Sequence, residues 1–197
     1  MRTYPKPTRK DYEEFLVQVV YGPCTDYLAA CIDGAYRDFC RTMHGFGKLP
    51  EKQTVRSEAT QEMNRQFQAL PAARVQTQEA FDDWHGKFSV AVTNIFGRAS
   101  FRVFAGQMQK WINMSFKNIY VCGEARVAGF EPLYRLCHIP IDNIVLDQLE
   151  DAGLDRPNEA WSRWAYDQYI DFQRRIRDWC GNQPLLNLEH HLWIEGR

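Results

Sequence analysis

The sequence predicts an all-α fold of about seven to eight helices, arranged as two packed helical lobes with a cleft between them. Two observations carry this. Apolar residues recur at three- and four-residue steps in segment after segment, whereas the alternating apolar–polar runs that mark strands are absent. Glycine and proline punctuate the chain at helix-length intervals. With 197 residues, 45% of them apolar and 14% aromatic, a packed interior is affordable within a single domain. The expected lobes are residues 1–75 with 155–197, and residues 76–154.

After a basic, proline-containing arm (Met1 to Lys10), Asp11 to Tyr21 reads as a helix with Phe15, Leu16, Val19 and Val20 on one side. Gly22-Pro23 stops it, because proline cannot continue the hydrogen-bond ladder. Thr25 is the expected N-cap of a second helix carrying Leu28, Cys31, Ile32, Ala35 and Phe39, and His44 to Pro50 form a loop. Ser57 is expected to cap a third helix bearing Met63, Phe67 and Leu70, ending before Pro71. Thr77 opens a stronger one, in which Phe81, Trp84, Phe88, Val92 and Ile95 make a broad apolar stripe up to Gly97.

A helix opening at Gly106 and closing at Gly123 buries Met108, Trp111, Ile112 and Ile119. On it Gln107, Lys110, Asn113 and Lys117 share a second face. Residues 124–139 read as irregular, with one helical turn near Leu133. Asp142 then caps a helix through Leu149, with Ile141 and Leu146 placed as a hydrophobic staple. One last long helix is expected from Glu159 to Cys180, with Trp161, Trp164, Tyr169, Phe172, Ile176 and Trp179 along it, followed by a short amphipathic tail. The terminal Ile194-Glu-Gly-Arg197 is identical to a common protease-cleavage linker.

The formal charge of -1 excludes a uniformly basic nucleic-acid coat. Between residues 94 and 140, however, six basic residues (Arg98, Arg102, Lys110, Lys117, Arg126, Arg135) stand against Glu124 and Glu131, a local footprint for phosphates. No apolar run approaches a membrane span and no signal-like region follows the arm, so the expected location is cytoplasmic. The six cysteines form no Cys-x-x-Cys pair and the five histidines show no ligand spacing, so neither metal nor cofactor is expected.

Chemistry concentrates in two places. Lys110 lies in the first turns of its helix, and an amine is a nucleophile only when unprotonated, which for lysine requires desolvation. Trp111 beside it is a candidate wall and base-pocket residue. Asp142 follows His138-Ile-Pro-Ile141 and opens the next helix, where the helix dipole and unsatisfied N–H groups hold a carboxylate ionised. Such a carboxylate is suited to face a developing oxocarbenium ion. The plainer roles of the two residues are a solvated surface lysine and an ordinary N-cap.

The helix start Gly106-Gln-Met-Gln-Lys110, followed 32 positions later by Asp142 of Ile-Pro-Ile-Asp, resembles the helix-hairpin-helix DNA glycosylase superfamily, and most closely its archaeal 8-oxoguanine branch. The likeness covers about residues 95–150 and departs from the pattern in lacking a Gly-x-Gly hairpin, with only Gly97 and Gly106 available. It implies a hydrolase and lyase of base-excision repair acting on DNA as a monomer. In that role Lys110 attacks the anomeric carbon and forms a Schiff base, while Asp142 assists deprotonation and stabilises the sugar cation. Gly106, Gln107, Arg98, Arg102 and Lys117 are then the expected DNA contacts. Two other classes compete: a non-catalytic helical module binding nucleic acid or protein, and a toxin-type helical ribonuclease using Arg37 and His44.

Overall fold

A computed structural model describes residues 5–181 and 183–195, so part of the basic arm and the last two positions of the Ile194–Arg197 tail lie outside the described residues. Among the described residues there are eight α-helices, four short 3₁₀ segments and no strand: the fold is all-α. The helices are α1 (Arg9–Tyr21), α2 (Tyr27–Cys40), α3 (Lys52–Ala69), α4 (Gln78–Arg98), α5 (Ala105–Cys122), α6 (Asn143–Asp151), α7 (Tyr166–Trp179) and α8 (Leu185–Glu195).

Their starts follow side-chain chemistry where a cap exists. Thr77 Oγ1 accepts from Ala80 N at the start of α4, and Asp142 Oδ1 accepts from Val145 N at the start of α6. Thr8 and Asp11 form a reciprocal capping box that begins α1 two residues before Asp11. Asp26, not Thr25, caps α2 through Ala29 N. The third helix begins at Lys52, well ahead of Ser57, behind Glu51, whose side chain makes no cap bond.

The expected helix from Glu159 to Cys180 is two pieces. A 3₁₀ turn, Trp161–Arg163, is separated from α7 by an extended Trp164 and Ala165. The cause is tertiary: Gly106 of α5 sits so close to this turn that a Cβ on it would lie 1.8 Å from the Trp161 carbonyl oxygen. Trp161 and Trp164 are therefore seated on α5 rather than displayed along a helix.

α5 is the central element, with residues buried on nearly every side. Buried apolar residues form two clusters. The larger gathers α2, α3, α4 and the apolar side of α5, with Phe130, Leu133, Leu136 and Cys137. The smaller joins Ile139 and Ile141 to α6, α7 and Leu185 of α8, and includes the Ile141–Leu146 pair expected as a staple. The break between them falls at His138. By contrast α1 buries none of its residues; Phe15, Leu16, Val19 and Val20 do share a side, but that side faces solvent. α1 is tied down by Arg126 pairing with Glu14 and by the Tyr21 hydroxyl donating to the Asn118 carbonyl. No helix among the described residues is long and apolar enough to cross a membrane.

Candidate functional site

Residues 138–141 run extended between the two apolar clusters, as Pro140 requires of the residue before it. Side-chain amides hold this strand-like segment. Gln109 donates from Nε2 to the Ile141 carbonyl at 2.8 Å and accepts from Ile141 N at 3.0 Å. Gln173 grips Ile139 in the same two-bonded way, at 2.7 and 3.1 Å. Asn113 Nδ2 ties both ends together, donating to Gln109 Oε1 at 3.0 Å and to the Ile139 carbonyl at 3.2 Å.

Two residues emerge from this frame at the same level. Lys110 Nζ, nearly buried, lies 2.5 Å from Asp142 Oδ2, while the other oxygen of Asp142 caps α6. Asp142 keeps 28% of its side chain exposed, so the pair is reached from its α6 edge. Trp161, partly exposed, stands at that edge and donates from its indole to Asn143 Oδ1 at 3.1 Å. Neither Lys110 nor Asp142 lines any of five open surface cavities found among the described residues.

Seven residues further along α5, roughly 10 Å by helical rise and on the same face, a second pair repeats the pattern. Lys117 Nζ donates to Glu189 Oε1 of α8 at 2.5 Å, and both groups are buried. The ammonium also lies 5.2 Å from the ring centre of the half-exposed Trp193. Glu189 Oε2 is buried and accepts no hydrogen bond from the described residues.

Behind α5 lies a buried polar cluster. His138 places Nε2 2.9 Å from Asp82 Oδ1 and Nδ1 2.8 Å from the Tyr169 hydroxyl. Because the carboxylate can only accept, Nε2 carries the proton and Nδ1 takes the tyrosine's. His85 Nε2 meets Asn113 Oδ1 at 3.1 Å. Burial pushes both histidines below 6.5, His85 further, and pushes the Tyr169 phenol well up. For Asp82 burial acts upward, but the hydrogen bond and charge of His138, with Gln78 and Arg177, outweigh it and hold the acid below 3.8. Among the described residues no group of three or more His, Cys, Asp or Glu side chains could hold a metal ion.

The residues expected at the site thus divide. Lys110 and Asp142 are brought together. Trp111, one residue on, turns about 100° away and is core: its indole donates to the Ile32 carbonyl and its ring stacks on Phe39 at 5.1 Å. Gly106 N donates to the Trp164 carbonyl, and Gln107 donates to the Thr42 carbonyl while accepting from Phe104 N, so the α5 start is closed to a phosphate. Lys117 is buried rather than displayed. Arg98 is exposed and paired with Glu58, and Arg102 lies over the Phe104 ring at 4.3 Å, beside a cavity of ≈ 370 Å³ at the α4–α5 turn. Arg37 and His44 are both exposed, on α2 and in the turn after it.

Glu189 and Trp193 are the residues sequence reasoning missed. The available signal was Glu189 at helical spacing from Leu185 and Leu186, a carboxylate on an apolar face. Comparisons of the chain with protein-family models, with curated proteins and with solved structures return no match.

Proposed function

We propose that the chain is a DNA glycosylase with lyase activity, in which Lys110 is the nucleophile and Asp142 its proton acceptor. The observation that carries this reading is the 2.5 Å Lys110–Asp142 contact: an amine withdrawn from water against a carboxylate whose other oxygen is anchored by a helix start. An ammonium cannot attack carbon; a carboxylate partner at rest favours the ammonium, and Asp142 serves as the local base that takes its proton as attack begins. Lys110 then forms a bond to the sugar C1′ as the C1′–N bond to the base breaks, with the bonding pair leaving on the base, which takes up a proton. Asp142, neutral once it holds the amine's proton, returns that proton to the departing base and, ionised again, offsets the positive charge that builds on the sugar. The nitrogen then gives up a further proton to Asp142, which passes it to the ring oxygen as the C1′–O4′ bond breaks to leave an imine; loss of a C2′ proton from the imine expels the 3′ phosphate.

The second pair does not extend this reading: Lys117 and Glu189 are buried against each other, so neither is offered to an extruded base, and Lys117 leaves the set of expected DNA contacts. Backbone phosphates fall instead to Arg102 and the α4–α5 turn.

A second reading, a non-catalytic helical module, is favoured by one observation. Gly106, Gln107, Trp111 and Arg98 all give their polar groups to partners inside the protein, as a purely structural α5 would require. Borohydride trapping on single- and double-stranded oligonucleotides carrying a panel of damaged or modified bases separates the two. Glycosylase chemistry yields a covalent adduct that Lys110→Gln lowers by about 10³-fold or more. Excision that survives Lys110→Gln but not Asp142→Asn means a monofunctional enzyme using water. DNA bound equally by all three proteins, with no base released from any oligonucleotide, establishes the module.

A further inference from the structure

We propose that Gln109 is a positioning residue that sets the register between α5 and the 138–142 segment, and so decides which residue meets Lys110. The geometry is that of adjacent rungs. Gln109 closes a two-bonded ring with the Ile141 backbone, and the next residue on each segment, Lys110 and Asp142, forms the 2.5 Å contact.

A slip of one residue in either direction breaks this grip, because Pro140 has no N–H to offer and the Asp142 carbonyl already accepts from Leu146 N at the start of α6. Moved by one residue, the segment would present Ile141 or Asn143 to the amine, and neither takes a proton. Ile141 itself cannot set the register with comparable sharpness, because apolar packing tolerates sliding better than a paired donor and acceptor do. Gln109 is in turn held by Asn113 Nδ2, so its amide cannot rotate away. It is completely buried and touches no solvent a substrate could occupy; its role is exerted through Ile141.

Gln173 supplies a matched control. It is equally buried and grips Ile139 with the same pair of bonds, but on the far side of Pro140 from Asp142. Gln109 also accepts from Asn113, which donates to the Ile139 carbonyl as well, so the two variants are compared by the labelling ratio at Lys110 and not by stability alone.

The inference rests on the glycosylase reading only for its activity arm, so the experiment has two. The first is reductive methylation of amines by formaldehyde and dimethylamine-borane on the full chain, read at Lys110 by mass spectrometry with the buried Lys117 as internal reference. Gln109→Met raises Lys110 labelling relative to Lys117 about tenfold, because two buried hydrogen bonds no longer hold its partner in place. Gln173→Met, although destabilised to a similar degree, changes the ratio less than about twofold. Gln109→Leu, a second apolar replacement that buries no charge, serves if the methionine variant does not fold, and raises the labelling ratio as Gln109→Met does.

The second arm is excision kinetics on whichever oligonucleotide the wild type cleaves. There Gln109→Met lowers kcat by roughly tenfold to a hundredfold, with KM within about twofold, since misplacement by an ångström affects the chemical step and not binding. Equal labelling changes in the Gln109 and Gln173 variants, or none in either Gln109 variant, overturn the inference. If the wild type cleaves nothing, the glycosylase reading fails and the labelling arm still decides the register.

Discussion

Two lysine–carboxylate pairs of equal length, both 2.5 Å, stand two turns apart on one face of α5, and they are not the same object. Asp142 uses one oxygen on Lys110 and the other on a helix start, and keeps 28% of its side chain in contact with water. Glu189 is only 3% exposed and leaves its second oxygen without a partner among the described residues. The first pair is satisfied at its carboxylate and open at its edge; the second is enclosed and carries an unused acceptor. Charge pairing alone therefore says little about role. What the remaining lone pairs do, and where water reaches, separates the two pairs.

The largest expected difference between them is in stability. Lys117→Met leaves a carboxylate buried without its cation, which costs about 3–5 kcal/mol. Lys110→Met leaves Asp142 still bound to Val145 N and partly hydrated, and should cost about 1–2 kcal/mol. Urea unfolding midpoints with m-values measure both. Equal losses would erase the distinction between the pairs. Replacing both members together, Lys117→Met with Glu189→Leu, should recover most of the loss at the second pair, because no charge is then left without its partner.

The next effect probes why the first pair has an open edge at all. The 161–164 segment leans on Gly106, where an added Cβ would meet the Trp161 carbonyl carbon at 2.9 Å as well as its oxygen at 1.8 Å. Backbone cannot rotate out of the way, so Gly106→Ala should cost about 3 kcal/mol and displace Trp161. Trp161 fluorescence and thermal unfolding report the two consequences. Gly97, the other glycine of the α4–α5 region, faces open space: a Cβ there would meet nothing within 4 Å. Gly97→Ala near the end of α4 should instead be neutral, or stabilising by roughly 0.5 kcal/mol.

The same two glycines show what the sequence could and could not disclose. Two of the capped helix starts were legible, with Thr77 and Asp142 each doing what their chemistry prescribes, whereas α2 takes Asp26, one residue past the expected Thr25, and α1 opens at Thr8, ahead of the expected Asp11. The start of α3 was not, because Glu51 makes no cap bond and nothing local marks it. The 159–180 region has helical spacing throughout, yet Trp161 and Trp164 leave the helix for a contact with a residue more than fifty positions earlier, which no local pattern records. Lys110 and Asp142 could be singled out since each sits in its own short motif. Glu189 reaches Lys117 across 72 residues from an unremarkable amphipathic tail, and Gln109 reads as a spacer beside Lys110. Long-range polar contacts leave almost no trace in periodicity.

A pH scan extends the comparison to the cluster behind α5. His85 and His138 are wholly buried and titrate below 6.5 in the folded chain, whereas the unfolded chain takes up those protons near 6.5. Folding stability is therefore full above about pH 6.5 and falls as the pH drops beneath it, by up to about 1.4 kcal/mol per pH unit for each histidine until its native value is reached. Asp82 acts in the same direction at lower pH: its folded value lies under 3.8, so its contribution is present above that and is lost as acid protonates it. Unfolding midpoints between pH 7.5 and 5 measure the slope, and His85→Asn should flatten it.

The smallest effect concerns Arg98, a residue expected to hold DNA. Its guanidinium meets Glu58 at 2.9 Å with about half or more of each side chain in water. Exposed pairs of this kind are worth about 0–1 kcal/mol, so Arg98→Ala should change stability by no more than roughly 0.5 kcal/mol. The same substitution separates surface from site in the functional assay. If phosphates are received at the α4–α5 turn, Arg102→Ala weakens DNA binding and lowers its salt dependence by about one ion, while Arg98→Ala, already engaged by Glu58, changes either by much less. Binding isotherms between 50 and 200 mM salt read both slopes. An Arg98 slope change as large as that of Arg102 would show the Glu58 pair opening on contact with DNA and would return Arg98 to the set of expected DNA contacts.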